Sequence, residues 1–163
     1  MKNKVKYSLY SLAITVIVLI LSVIGVISLW DNTDRLVLFC LIMGSIIIAG
    51  LFYCPVSVEA NDTKIKLYRL LAKPIAFAYD DIQKVDVCYP SFGGIRLCAS
   101  GGCFGYWGYF NDTAIGTYFG YYGSRSCCFL VKLKNGRQYV LGCEDSVAMV
   151  NYIKMQLQKY RAA

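Results

Sequence analysis

The chain has 163 residues, a formal net charge of +7, 57% hydrophobic side chains and no histidine. Without histidine no Ser-His or Cys-His nucleophile pair can be assembled, and no catalytic constellation is expected. Much of the basic excess flanks apolar runs, and the aromatic-rich segment lacks interleaved Lys and Arg, which excludes a nucleic-acid surface.

No charged side chain occurs in residues 7–30, and none in residues 36–58. A hydrocarbon core of about 30 Å needs about 20 apolar helical residues. In lipid the backbone must satisfy its own hydrogen bonds, so two spans are predicted, at about 8–29 and 36–53, within a hairpin 1–54. A signal peptide would have a shorter apolar core and a small-residue cleavage site. The polar remainder is too small to bury two such helices. Lys2, Lys4 and Lys6 precede the first span, and Lys64, Lys66, Arg69 and Lys73 follow the second. The turn between them holds Asp31, Asp34 and Arg35. By the positive-inside rule both termini are expected in the cytoplasm. Ser45 and Ala49, beside Gly44 and Gly50, suit close helix packing.

Cys54-Pro55 ends the second helix, because proline lacks an N–H and disfavours helix at the preceding residue. A separate domain, 55–163, then begins with a period of two. Val56, Val58 and Ala60 alternate with Ser57 and Glu59, Asn61-Asp62 turns the chain, and Ile65 and Leu67 share a face of residues 64–70. The connection is too short to be a flexible linker, so this domain lies close to the headgroups. Residues 75–78 are a short apolar piece, and 84–89 and 95–99 read as further strands, with Asp80-Asp81, Pro90 and Gly93-Gly94 as the breaks. Asn135-Gly136 between residues 127–134 and 137–143 is a strong hairpin signal, expected to place both turn residues at positive φ. Glu144-Asp145-Ser146 caps a last helix, 147–161, with Met149, Val150, Ile153, Leu157 and Tyr160 as its apolar stripe.

Two membrane helices, antiparallel strands and a final amphipathic helix, in that order, resemble the small bacterial pleckstrin-homology-like (PH-like) domain proteins. The step Asp80-Asp81-Ile82-Gln83-Lys84-Val85, Arg96 followed by Ser100-Gly101-Gly102-Cys103-Phe104-Gly105-Tyr106-Trp107-Gly108, and the terminal hairpin and helix carry the resemblance, which covers residues 56–158. It implies a mainly-β domain: a bent antiparallel barrel of about seven strands, capped by the C-terminal helix. It also implies a multi-pass protein of the bacterial inner (cytoplasmic) membrane. Phosphoinositide binding is not carried over, because the loop between the first two strands is the acidic Asn61-Asp62.

The densest aromatic segment is 104–122, with Phe104, Tyr106, Trp107, Tyr109, Phe110, Tyr118, Phe119, Tyr121 and Tyr122 interleaved with glycine. Aromatics pack across paired strands and over neighbouring glycines, yet a small barrel has little room for so many rings. Part of this hairpin is therefore expected to form an exposed interaction surface. Its glycines do not lead from a strand into a helix, and no GK[ST] follows, so a phosphate-binding loop is not indicated. The cysteines lack CxxC pairs and read as reduced, small apolar residues, with no metal and no cofactor expected. Asn61-Asp62-Thr63 and Asn111-Asp112-Thr113 are glycosylation sequons only for a domain facing a lumen.

The expectation is a non-catalytic protein-interaction or scaffolding module at the cytoplasmic face, with the lipid bilayer and a membrane or cytoplasmic protein as partners. One alternative is a module that contacts lipid headgroups through the hairpin rings and Lys64, Lys66, Arg69 and Lys73. The other is a small accessory subunit of a membrane complex.

Overall fold

A computed structural model describes residues 1–91 and 93–162; Ala163, the end of the expected domain, lies outside the described residues. Helix α1 (Leu9–Ser28) and helix α2 (Thr33–Tyr53) form the hairpin, each long and apolar enough to cross a membrane. Ser8 caps α1 by accepting from the Ser11 amide, and Asn32 caps α2 by accepting from that of Arg35. Their apolar side chains point outward: Leu9, Ile27 and Leu41 are 86%, 69% and 67% exposed. Such a surface demands an apolar surrounding. The helices approach closely at Gly25, which accepts the Phe39 ring, whereas nothing lies near Gly44. The expected packing of Gly44 with Ser45, Ala49 and Gly50 is thus not where the two helices meet.

The other elements are strands β1 (Lys2–Lys4), β2 (Pro55–Ala60), β3 (Lys64–Arg69), β4 (Ile75–Ala78), β5 (Ile82–Cys88), β6 (Ile95–Ala99), β7 (Tyr106–Asp112), β8 (Gly116–Tyr122), β9 (Cys128–Leu133) and β10 (Gln138–Gly142), followed by helix α3 (Ser146–Ala162). They make a four-stranded sheet, β1-β2-β3-β4, and a six-stranded sheet, β5-β9-β10-β8-β7-β6. Two sheets replace the single barrel of about seven strands that the resemblance implies. Among the described residues the six-stranded sheet does not close, because its edges β5 and β6 are not paired. It curls instead: Cys88 on β5 and Ala99 on β6 both pack on one cluster beneath it. Nor is the domain wholly antiparallel, since β8 and β10 run parallel, with Gly120 opposite Val140.

The N-terminus belongs to the β domain. Lys2, Asn3 and Lys4 pair with Glu59, Val58 and Ser57, and the terminal ammonium donates to the Ala60 carbonyl at 2.8 Å. The lysines expected only to flank a span thus serve as an edge strand. Tyr7 then ties the two helix ends together by donating to the Pro55 carbonyl at 2.6 Å, with its hydroxyl 3.0 Å from the Cys54 sulfur. An irregularity between Pro55 and Ser57 turns Ser57 inward and leaves Val56 40% exposed, against the simple alternation expected of β2.

The main core lies between the sheets. Val58, Ile65, Leu67 and Phe77 from one sheet meet Val85, Phe129, Val131 and Leu141 from the other. α3 lies against β2, β5 and β9 and so bridges the two sheets. Its stripe of Met149, Val150, Ile153 and Leu157 is buried, as expected. Tyr160 instead stays 38% exposed and donates to Asp80. Asp145 caps the helix through the Ala148 amide at 2.9 Å. The β9–β10 connection departs from a two-residue turn: the Gly136 amide donates to Leu133, and only Gly136 is at positive φ (83°). That is the three-residue hairpin in which glycine occupies the left-handed position and asparagine does not.

Candidate functional site at the helix-facing end of the β domain

Three connections converge where the helices meet the β domain: residues 70–74, 100–105 and 123–127. The middle one is docked into the helix hairpin. The Ser11 hydroxyl donates to the Gly102 carbonyl at 2.7 Å, and the Phe104 amide donates to the Thr15 hydroxyl at 2.9 Å. Thr15 lies about 9 Å along α1 from its first residue. Phe104 has φ of 54°, the left-handed region that side chains other than glycine rarely adopt. Its ring fills the notch left by Gly50 of α2, where a Cβ would lie 3.1 Å from Cε2. Ser45, Ile46 and Ala49 form, with Cys98, Ser100 and Cys103, a cleft alongside this loop. The small residues of α2 therefore receive a loop.

The aromatic hairpin has two faces, and both are used. On one, Tyr106 stacks on Tyr122 (5.1 Å, 16°) and Phe110 on Tyr118 (5.6 Å, 17°). All four are buried, in the cluster under which the six-stranded sheet curls. Gly120 makes room for them, because a Cβ there would lie 3.0 Å from the Phe110 ring and 2.8 Å from that of Tyr122. Opposite it in register is Gly108, at φ 116°, where a Cβ would strike the Cys98 carbonyl. Ring over glycine across paired strands is thus the arrangement found. On the other face Trp107 stacks on Tyr53, the last residue of α2 (4.9 Å, 12°), and Phe119 touches Tyr53, Tyr109 and Tyr121.

These positions narrow the expected surface. Tyr106, Phe110, Tyr118, Tyr121 and Tyr122 are buried, and Phe104, Trp107 and Phe119 are half-buried. Only Tyr109, 53% exposed, is open to a partner. The physical reason is that the sheet curls and the helix end covers the second face, which provides more interior than a simple barrel.

The basic residues divide in the same way. Arg69 lies at the helix end of β3, its guanidinium 5.7 Å from the Phe52 ring, and donates to the Lys73 carbonyl at 2.6 Å. Between them Leu70 and Leu71 are 52% and 62% exposed, and the Leu70 amide donates to the carbonyl of Cys54, just past α2. Lys64 sits at the other end of β3, about 17 Å from Arg69, and Lys66 lies between. The four are therefore not one patch: Arg69 and Lys73 are at the helix end, and Lys64 points outward at the far end.

Other residues have roles that their sequence patterns did not assign. Ser11 and Thr15 hold the loop, and their signal was two hydroxyls one turn apart near the start of a mostly apolar helix. Arg96 and Arg125 face a common cleft beside Tyr106. Asp112, buried at the other end of β7, accepts from the Ser91 amide and hydroxyl, both at 2.7 Å, and from the Ala114 amide at 2.9 Å. Burial alone would raise its carboxyl, but these hydrogen bonds outweigh it and hold the group below its ordinary value.

All eight cysteines are free. Burial pushes the thiols of Cys88 and Cys143 up to about 12, and raises those of Cys103 and Cys128, so they act as small apolar groups. No protein-family model, curated protein or solved structure matches the chain.

Proposed function

We propose that this protein is a non-enzymatic membrane module that holds one end of its β domain against lipid headgroups. The observation that carries the reading is the connection 70–74: Leu70 and Leu71, exposed between Arg69 and Lys73, sit beside the end of α2. Apolar side chains at a loop tip, flanked by cations, suit insertion below an anionic headgroup layer. On this reading α1 and α2 cross the inner membrane of a bacterium and both termini are cytoplasmic. The supporting facts are the basic residues at the domain end, the two aspartates in the α1–α2 turn, and the shared sheet of β1 and β2. A PH-like relationship is part of the same proposal, supported by the curled sheet, the final hairpin and the closing helix.

The test uses full-length protein in vesicles, with a fluorescent amino acid at position 71 or at position 135 and brominated lipid as quencher. Quenching at 71 and not at 135 is expected. Equal quenching at both, or none at 71, would refute the headgroup contact.

A second reading, a scaffold for a protein partner, is favoured by β6. This edge strand leaves Ile95 and Leu97 64% and 59% exposed, with Tyr109 beside them on β7. An unpaired, apolar edge is a template for strand addition by another chain. A photo-crosslinker at Ile95 or Tyr109 in cells is expected to give a discrete protein adduct, and its absence at both removes this reading.

A further inference from the structure

Beside the first turn of α1 lies an open cleft of about 650 Å³ whose lining includes Ser8, Tyr89, Arg96, Tyr106, Ser124 and Arg125. Among the described residues its lining carries two guanidiniums and no carboxylate. Separate stretches build it: the start of α1, Tyr89 and Pro90 after β5, Arg96 of β6, Tyr106 of β7, and the β8–β9 loop. Arg125 is held in place on this wall, and Arg96 is exposed at the mouth. The Arg125 guanidinium lies over the Tyr106 ring at 5.0 Å and donates to the Ser91 carbonyl at 3.4 Å. That of Arg96 rests over Gly101, where any Cβ would collide with it. The Ser8 oxygen already accepts from Ser11, so its proton remains to be donated, and the Ser124 and Ser126 hydroxyls, 2.9 Å apart, leave one more proton to give. The positive end of the α1 dipole adds to the same potential.

We propose that this cleft binds a phosphate mono- or diester anion. Planar guanidinium forks and hydroxyl donors are the groups that match phosphate oxygens, and the volume falls within the range of small-ligand sites. The chemistry is shared by a phospholipid headgroup and a soluble phosphate ester. The lipid source rests on the membrane reading above: Tyr10 lines the cleft and is 56% exposed on α1, next to Leu9 at 86%, where acyl chains would lie. A soluble ester would use the cleft alone.

The experiment is native mass spectrometry of the full-length protein in neutral detergent, with added phosphatidylglycerol or with glycerol 3-phosphate. Arg96→Gln is expected to weaken binding about tenfold, and Arg96→Gln with Arg125→Gln further, from the loss of charged hydrogen bonds. Lys64→Gln with Lys66→Gln, remote from the cleft, should leave binding unchanged. Phosphatidylglycerol retained by the wild type and lost in the arginine variants supports the proposal with a lipid source. Binding of glycerol 3-phosphate alone, lost in the same variants, supports it with a soluble source. Neither ligand bound by the wild type, or binding undiminished by Arg96→Gln, overturns it. If the double variant loses its thermal transition, Arg96→Gln decides, since that side chain is exposed. Quenching at position 71 is read separately, so intact quenching with undiminished anion binding would remove this site and leave the membrane reading standing.

Discussion

The amide of Phe104 donates to the hydroxyl of Thr15, joining a loop of the β domain to a residue well inside an apolar helix. Non-helical backbone that docks between apolar helices is stable only where other groups satisfy it. Thr15 and Ser11 do so for Phe104 and Gly102, while the Phe104 ring in the Gly50 notch holds the left-handed backbone in place. Thr15→Val should therefore strand a partly buried N–H and cost about 1 kcal/mol. Thr15→Ser should retain most of the stability. Thermal unfolding of the full-length protein in detergent measures both, and equal midpoints for Val and wild type would contradict the assignment.

Gly50→Leu should expel the Phe104 ring and loosen the Tyr53–Trp107 stack beside it. In a Trp30→Phe background Trp107 is the only indole, so its emission should move to longer wavelength as water gains access. An unchanged spectrum would mean that the loop docks without the ring.

Because β1 pairs with β2, the N-terminus and the β domain must lie on one side of any membrane that α1 and α2 cross. Accessibility probes at residue 1 and at residue 135 should thus report the same compartment. Deleting residues 1–4 should expose the β2 edge and lower the thermal midpoint. Probes on opposite sides would contradict the strand pairing.

Asp112 is held below its ordinary value in the folded protein, so the unfolded chain binds its proton more readily. Its contribution is present above the unfolded value and is lost as pH falls through the folded one. Asp112→Asn should cost about 1–3 kcal/mol at neutral pH and flatten the acid limb of stability against pH. Denaturant melts across the acid range measure this, and an unaltered acid limb would remove Asp112 as its source.

Gly108→Ala forces a side chain into the left-handed region and a methyl into the Cys98 carbonyl. A loss of about 2–3 kcal/mol is expected. Gly136→Ala, where nothing crowds a Cβ, should cost less, from φ strain alone. Chemical denaturation of the two variants gives the comparison.

Charge-free runs, period-two alternation and capping residues are local properties, and they placed both helices, most strands and α3 within a few residues. The nine aromatics of 104–122 were recognisable as a group interleaved with glycine, and ring-over-glycine packing was one expected use of them. Whether those rings faced outward was not, because burial depends on how the sheet curls and on what covers its second face. Tyr53 covers Trp107 only because α2 ends at that height. Lys2–Lys4 look like topology signals in one dimension; pairing with β2, remote in sequence, makes them an edge strand. The parallel partner of β8 and the placing of Arg96 and Arg125 on one cleft are equally long-range. Sequence by itself determined which segments are apolar, extended or helical, since those depend on neighbouring residues. Tertiary structure alone decided which rings are core, which cations share a cleft and which loop enters the helix hairpin, because each is a contact between segments far apart along the chain.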